Sequence, residues 1–313
     1  MRVWTIGSGG LLGRAVVADV HAREGWSVYP GPAIDWMCHP DELAVIVGAA
    51  VTDLESSDVG ESWGIVWAAG GSTVAATELR TALELAQFNA AAAAIRRTAR
   101  TPGRIFVASS AGAVYAGSST PPFTEQSDAV ALSPYGRLKL AMESDAAKLF
   151  SGTSHSVVIG RMTNLYGPNQ RLDKRQGLIS HLAIARLGGP PAMIYVPLDT
   201  VRDYLYADDA AALALDALAR GSDGEVATKN LASGDAVSIS FLLGTFQRVT
   251  KRRIPVVLGI RPESALQPRD LRVTSTVWPD LDARDFTSLP AGVRLTLDGV
   301  LASAERGGVR ANG

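Results

Sequence analysis

The stretch Val3-Trp4-Thr5-Ile6-Gly7-Ser8-Gly9-Gly10-Leu11-Leu12-Gly13-Arg14-Ala15-Val16-Val17, residues 3–17, decides the fold. Its apolar start at 3–6 reads as a short buried strand, the glycines at 7, 10 and 13 as a tight turn, and residues 11–24 as a helix stopped at Gly25. The same rhythm continues outward. Residues 26–29 form a second strand candidate, and a Pro-rich loop leads to a helical stretch at 41–56. Strand patterns at 64–69, 104–108 and 156–160 then alternate with helical patterns at 77–100 and 135–150. Strands separated by helices need crossover connections, and those favour a parallel sheet with helices on both faces.

Beyond residue 160 the pattern loosens. Residues 166–177 read as a polar loop, 178–187 as a helix, 188–191 as a break and 193–196 as a strand. Helical patterns at 207–219 and 240–250 and a strand at 255–260 follow. The expected architecture is an α/β, Rossmann-type doubly wound parallel sheet with a smaller C-terminal α/β part. Residues 1–165 are expected to bind a dinucleotide and 166–313 a substrate, with some C-terminal segments returning to the first unit.

At 313 residues, 47 % hydrophobic and 19 % charged, the chain has enough apolar surface to offset its ordering entropy. Thirty Lys and Arg against 31 Asp and Glu leave a formal charge of −1, which argues against nucleic acid or an anionic membrane as partner. The lone Cys38 can form no internal disulfide, and the histidines at 21, 39, 155 and 181 form no ligand cluster, so no metal is expected. No apolar run reaches the roughly 20 residues of a membrane helix, and no charged leader is read; a cytoplasmic location is expected.

Glycines directly after a strand and opening a helix let backbone amides approach a pyrophosphate at the positive helix end. NAD or NADP is the expected cofactor. The carboxylate that ordinarily binds the adenosine ribose is missing from residues 26–32. Two readings stand: Arg14 pairs with a 2′-phosphate, or Arg14 is a solvated helix residue and Asp35 binds the ribose. Tyr135 and Lys139 fall one helical turn apart on one face, where an ammonium stabilises a phenolate and makes Tyr135 a candidate general base. Ser109 and Ser110 end the strand pattern Arg104 opens, at the sheet edge where open α/β folds bind ligands; either hydroxyl serves a substrate oxygen or a local turn.

In order along the chain, GSGGLLG (7–13), WAAG (67–70), FNAAAAAIRR (88–97), SSAGAVYAG (109–117), SPYGRLK (133–139), RMTNLYGPNQ (161–170), RDYLYADDAA (202–211) and a weaker RPES (261–264) resemble the extended short-chain dehydrogenase/reductases, the NAD-dependent epimerase/dehydratases of nucleotide sugars. The resemblance implies an enzyme for a nucleoside-diphosphate sugar, of the UDP-sugar 4-epimerase kind. Tyr135 would transfer the proton, Lys139 hold the nicotinamide ribose, Ser110 bind the reacting oxygen and Asn89 support a relay water. Gly7, Gly9, Gly10, Leu11, Leu12, Gly13, Arg14, Ala68, Ala69, Gly70, Asn89, Tyr135, Lys139 and Met162 would contact the cofactor. Asn164 would touch the sugar nucleotide, and Arg202 and Arg261 would clamp its diphosphate, unless Arg202 pairs with Asp203 or Asp208. The resemblance also implies a homodimer through the helices at 77–100 and 135–150.

Two departures narrow the reading. The family's hydroxyl residue four before the tyrosine of its VYG segment is here Ala111, with Ser110 one position back. The Asp-Glu pair of the 4,6-dehydratases is replaced by Ala111-Gly112, which disfavours that dehydration. Epimerisation through a 4-keto sugar is the leading expectation; reduction of a 4-keto sugar is the alternative, and a non-catalytic dinucleotide sensor a third.

Overall fold

The computed structural model describes residues 1–56, 62–170, 177–261, 264 and 267–306. Part of the polar loop, 171–176, and residues 262–263 of the RPES segment lie outside the described residues. The elements run β1 (Arg2–Ile6), α1 (Leu11–Ala22), β2 (Ser27–Tyr29), α2 (Pro40–Glu55), β3 (Trp63–Trp67), α3 (Glu78–Thr98), β4 (Arg104–Ser110), α4 (Ala111–Val114), α5 (Pro134–Phe150), β5 (Ser156–Met162), β6 (Asn164–Tyr166), α6 (Leu178–Arg186), β7 (Ala192–Ile194), β8 (Val201–Arg202), β9 (Tyr204–Tyr206), α7 (Ala207–Arg220), β10 (Val226–Leu231), β11 (Val237–Ser238), α8 (Ile239–Thr250), β12 (Val256–Leu258), β13 (Asp270–Leu271), α9 (Pro279–Asp282) and α10 (Leu289–Arg306).

Six strands form the central sheet in the order β10-β5-β4-β3-β1-β2, and every neighbouring pair is parallel. The alternation of strand side chains sorts them between two layers. Trp4 and Ile6 of β1, with Trp63, Ile65 and Trp67 of β3, face the core shared with α2, α3 and α5. Val3 and Val66 face the opposite core, which the alanine-rich α7 and α1 close. Strands buried on both faces read as continuous apolar runs, the pattern seen at 64–69.

Chain order reverses on either side of β1, which pairs with both β2 and β3. Ligand crevices of open α/β sheets form at the carboxyl ends of strands around such a reversal. A third core joins α6, α8 and α10 around Tyr166 and Tyr206, beside three small sheets.

Several boundaries differ from those read in the sequence. The strand expected to end at 160 runs on to Met162, and its added residues pair with the end of β4, Arg161 with Ser109 and Met162 with Ser110. β10 escapes hydropathy because its sheet-edge segment buries Lys229 and Asn230, both 0 % exposed. Lys229 is satisfied by Ser275, the Val277 carbonyl and Asp282 at 2.7–2.9 Å. α10 contains Pro290, Gly292 and Gly299, which read as breakers. Gly292 is needed there: a β-carbon on it would stand 2.1 Å from the Tyr166 hydroxyl.

Candidate active site

The turn after β1 is built by exclusion of side chains. Gly7 has φ +95°, and a β-carbon on it would lie 2.5 Å from the Ala69 nitrogen. One on Gly13 would lie 2.2 Å from the Gly7 carbonyl oxygen, so α1 starts directly on the turn and the turn directly on the end of β3. The Ala68 amide continues the register by donating to Ile6 O at 2.8 Å. α1 has Gly10 at its N-cap, no side-chain cap and no acid in its first turn, whereas Thr77, Ser133 and Ser238 cap α3, α5 and α8. An uncapped first turn with open amides favours an anion.

A cavity of about 840 Å³ opens beside this turn. That volume falls in the range of small-molecule and cofactor sites. It is bordered by Gly10, Leu11 and Leu12 of the turn, by Ala68, Ala69 and Gly70 after β3, and by Ser110 and Met162 at the ends of β4 and β5. Tyr135, Lys139, Asn164, Arg202 and Arg261 border it as well. Gly7, Gly9, Gly13 and Arg14 do not. Arg14 is exposed and its Nε donates to the Gly9 carbonyl at 3.1 Å. Asp35 is exposed, and its Oδ1 accepts from the Met37 amide at 2.9 Å.

α5 begins with Ser133 accepting from the Gly136 amide at 3.1 Å and with Pro134 in its first turn, which fixes the direction of Tyr135 and Lys139. Lys139 is buried; its Nζ lies 5.7 Å from the Tyr135 ring centroid and donates to the Ala108 carbonyl at 3.2 Å. Both serines of β4 border the cavity. Ser109 points away from solvent and donates to the Glu143 carboxylate, which Arg161 grips with Nε at 3.1 Å from both oxygens. Burial opposes the Arg161 charge, and Glu143 and Tyr115 outweigh it, so its pKa is raised.

Arg202 is 6 % exposed, with Nη1 donating to Val201 O at 2.8 Å and Nη2 lacking a partner. Burial pushes its pKa down to about 10. The ion pair with Asp203 weighed in the sequence is not formed: Asp203 accepts from Thr163, from the amide and hydroxyl of Ser233, and from the Gly234 amide at 2.6–3.0 Å. Arg261 stacks its guanidinium 3.8 Å above the Tyr195 ring, and Asn164 donates to Asp203 O at 2.8 Å.

Asn89 donates to Asp145 of α5 at 2.9 Å and does not border the cavity. The helix residue that does is Glu84, five positions earlier, where the helical period turns α3 toward the pocket. His181 and, from the RDYLYADDAA segment, Tyr204 also line the cavity. Burial lowers the His181 pKa and raises that of Tyr204 to about 12. Among the described residues, no group of three or more His, Cys, Asp or Glu is placed to hold a metal. No helix of the described residues is long and apolar enough to cross a membrane.

The family model for the NAD dependent epimerase/dehydratase family matches residues 56–231. The chain belongs to that family. It is 31 % identical over 147 residues to dTDP-4-dehydro-6-deoxyglucose reductase of Escherichia coli, covering 46 % of this chain and 45 % of the relative. It is 27 % identical over 172 residues to UDP-glucose 4-epimerase 4 of Oryza sativa subsp. japonica, covering 50 % and 47 %. The chain spans about half the length of the curated relatives it matches. Its fold is that of the Thermus thermophilus UDP-glucose 4-epimerase solved in complex with NAD, at TM-score 0.77 and 22 % identity over 99 % of this chain and 100 % of the other.

Proposed function

We propose that the chain is an NAD(P)-dependent nucleotide-sugar epimerase that works through a 4-keto intermediate, with Tyr135 as acid and base. The observation that carries the reading is the meeting of Tyr135, Lys139, Ser110 and the buried guanidinium of Arg202, whose Nη2 has no partner, in one cavity beside the glycine turn. The residues present suit a dinucleotide. The turn leaves no room for β-carbons at Gly7 and Gly13, the first turn of α1 is uncapped, and Lys139 is buried without a carboxylate. Gly10, Leu11, Leu12, Ala68, Ala69, Gly70 and Met162 would wall the cofactor, and Lys139 would hold its nicotinamide ribose.

NAD or NADP, held by these residues, would supply the reversible hydride acceptor for carbon 4 of the sugar. Tyr135 removes the proton of the 4-hydroxyl and gives it back to the 4-oxygen. Lys139, one turn away, stabilises the phenolate form of Tyr135 that accepts this proton. Ser110 donates a hydrogen bond to the oxygen that becomes the carbonyl. Arg202 and Arg261 pair with the diphosphate, which gives the unpartnered Nη2 of Arg202 an acceptor, and Asn164 meets the sugar nucleotide. In this reading residues 1–165 hold the dinucleotide and 166–313 the sugar, with α7 and β10 lent back to the first layer. A homodimer through α3 and α5 and a cytoplasmic location complete it.

Net reduction of a 4-keto sugar is the second reading. It is supported by the lack of an acid in residues 26–32 and by the likeness to the E. coli reductase. Incubation with UDP-glucose, UDP-galactose and dTDP-4-dehydro-6-deoxyglucose separates the two. An epimerase interconverts the first pair without net consumption of added NADH or NADPH; a reductase consumes one equivalent per molecule of the third. A chain that binds the dinucleotide and does neither would be a sensor.

A further inference from the structure

Lys139 is 5 % exposed, and the atoms that its ammonium meets carry no formal charge: the Ala108 carbonyl oxygen at 3.2 Å and the Met142 sulfur at 3.8 Å. A buried ammonium is costly without a strong partner. Glu84 of α3 is also buried, at 8 % exposed, and borders the same cavity. Its Oε2 accepts from the amides of Gly71 and Ser72 at 3.0 and 2.9 Å, which ties α3 to the loop after β3. Its Oε1 has no hydrogen-bond partner. A β-carbon on Gly70 would stand 2.9 Å from Glu84 Oε1 and 3.9 Å from Lys139 Nζ. The carboxylate oxygen and the ammonium therefore flank the space that the missing side chain of Gly70 leaves.

The chemistry of the two groups selects what fits between them. An occupant must donate to the carboxylate and accept from the ammonium. A hydroxyl does both. A phosphate or carboxylate is repelled by Glu84, and a carbonyl has no proton to give. We propose that Glu84 is a positioning residue which, with Lys139, holds a single hydroxyl oxygen over Gly70 when the nicotinamide dinucleotide is bound. The inference rests on the cofactor reading above. The oxygen belongs either to the ribose on the nicotinamide side or to a water molecule that passes protons along the Lys139 side chain.

The test compares the wild-type chain with Glu84→Gln and Gly70→Ala. Glu84→Gln keeps an oxygen for the Gly71 and Ser72 amides but removes the second acceptor and the charge; Gly70→Ala fills the space and leaves Glu84 intact. Dissociation constants are measured for NADH, NADPH and ADP, the last lacking the nicotinamide ribose. If the ribose supplies the oxygen, both variants bind the dinucleotide about tenfold or more weakly, with ADP affinity kept within about twofold. If water supplies it, dinucleotide affinity holds, and kcat on the panel sugar falls about tenfold at unchanged KM. Unchanged dinucleotide affinity without that fall in kcat overturns the inference, as does a parallel loss of ADP affinity, which would mean general damage to the loop. A wild-type chain that binds neither dinucleotide overturns the cofactor reading and the inference together.

Discussion

Arg202 holds a guanidinium where water does not compensate it, with one of its terminal nitrogens unpaired. Without a ligand this is a cost; with a diphosphate in the cavity it becomes an attraction in a medium of low dielectric. Arg202→Met is accordingly expected to raise the stability of the ligand-free chain, by about 1–4 kcal/mol, while weakening UDP binding at least about tenfold. Thermal melting and titration with UDP measure both; a variant less stable and equally avid would show that the guanidinium serves the fold. Tyr135, Lys139, Ser110 and Arg202 were legible in the sequence because each sits in a local pattern: a helix start, a strand end, an RDY segment. Glu84 was not, because nothing in the sequence of α3 shows which of its polar residues the helix turns toward the pocket. Asn89, five positions further along α3, matched a motif and donates to Asp145.

In the turn between β1 and α1 the glycines are unequal: a β-carbon on Gly13 meets backbone at 2.2 Å, while one on Gly9 meets nothing within 4 Å. Gly13→Ala should cost about 1–3 kcal/mol by overpacking, and Gly9→Ala less than about 1 kcal/mol in the ligand-free chain. Denaturant unfolding distinguishes them, and equal costs would contradict this geometry. At the other end of the sheet, the neutral Nδ1 of His155 accepts from the Gly103 amide at 3.0 Å where β4 and β5 begin, and burial lowers its pKa from 6.5. With the folded value lowered, the unfolded chain binds more protons as pH falls below about 6.5, and stability is lost in that window until the folded pKa is passed. His155→Asn, which keeps an acceptor but cannot titrate, should lose less melting temperature than wild type between pH 7.5 and 5.5. An identical loss would assign the acid sensitivity to other groups. The alternation of β1 to β5 with their helices was readable because each strand is apolar on both faces. β10 was not, since its lysine and asparagine are satisfied only by residues brought from 275–282 and by Glu125, Tyr115 and Thr274.

At the scale of the whole molecule, the chain crosses to its second part and comes back. α7 closes the core under Val3, Val66 and Phe106, and β10 pairs along β5. A fragment of residues 1–165 would expose that core and lose an edge strand, so it is expected to show no cooperative thermal transition by circular dichroism; a sharp transition would make the first part independent of the second. The cavity borrows from both parts in the same way, with Tyr135 and Lys139 from one and Arg202 and Arg261 from the other. Central to the proposed chemistry is the phenol of Tyr135. The most direct measurement is turnover by Tyr135→Phe, on the nucleotide sugar that wild type converts, alongside its dissociation constant for the dinucleotide. Turnover should fall about 100-fold or more with dinucleotide affinity within a few-fold of wild type; a Tyr135→Phe chain that turns over at the wild-type rate would contradict the assignment of Tyr135 as the acid and base.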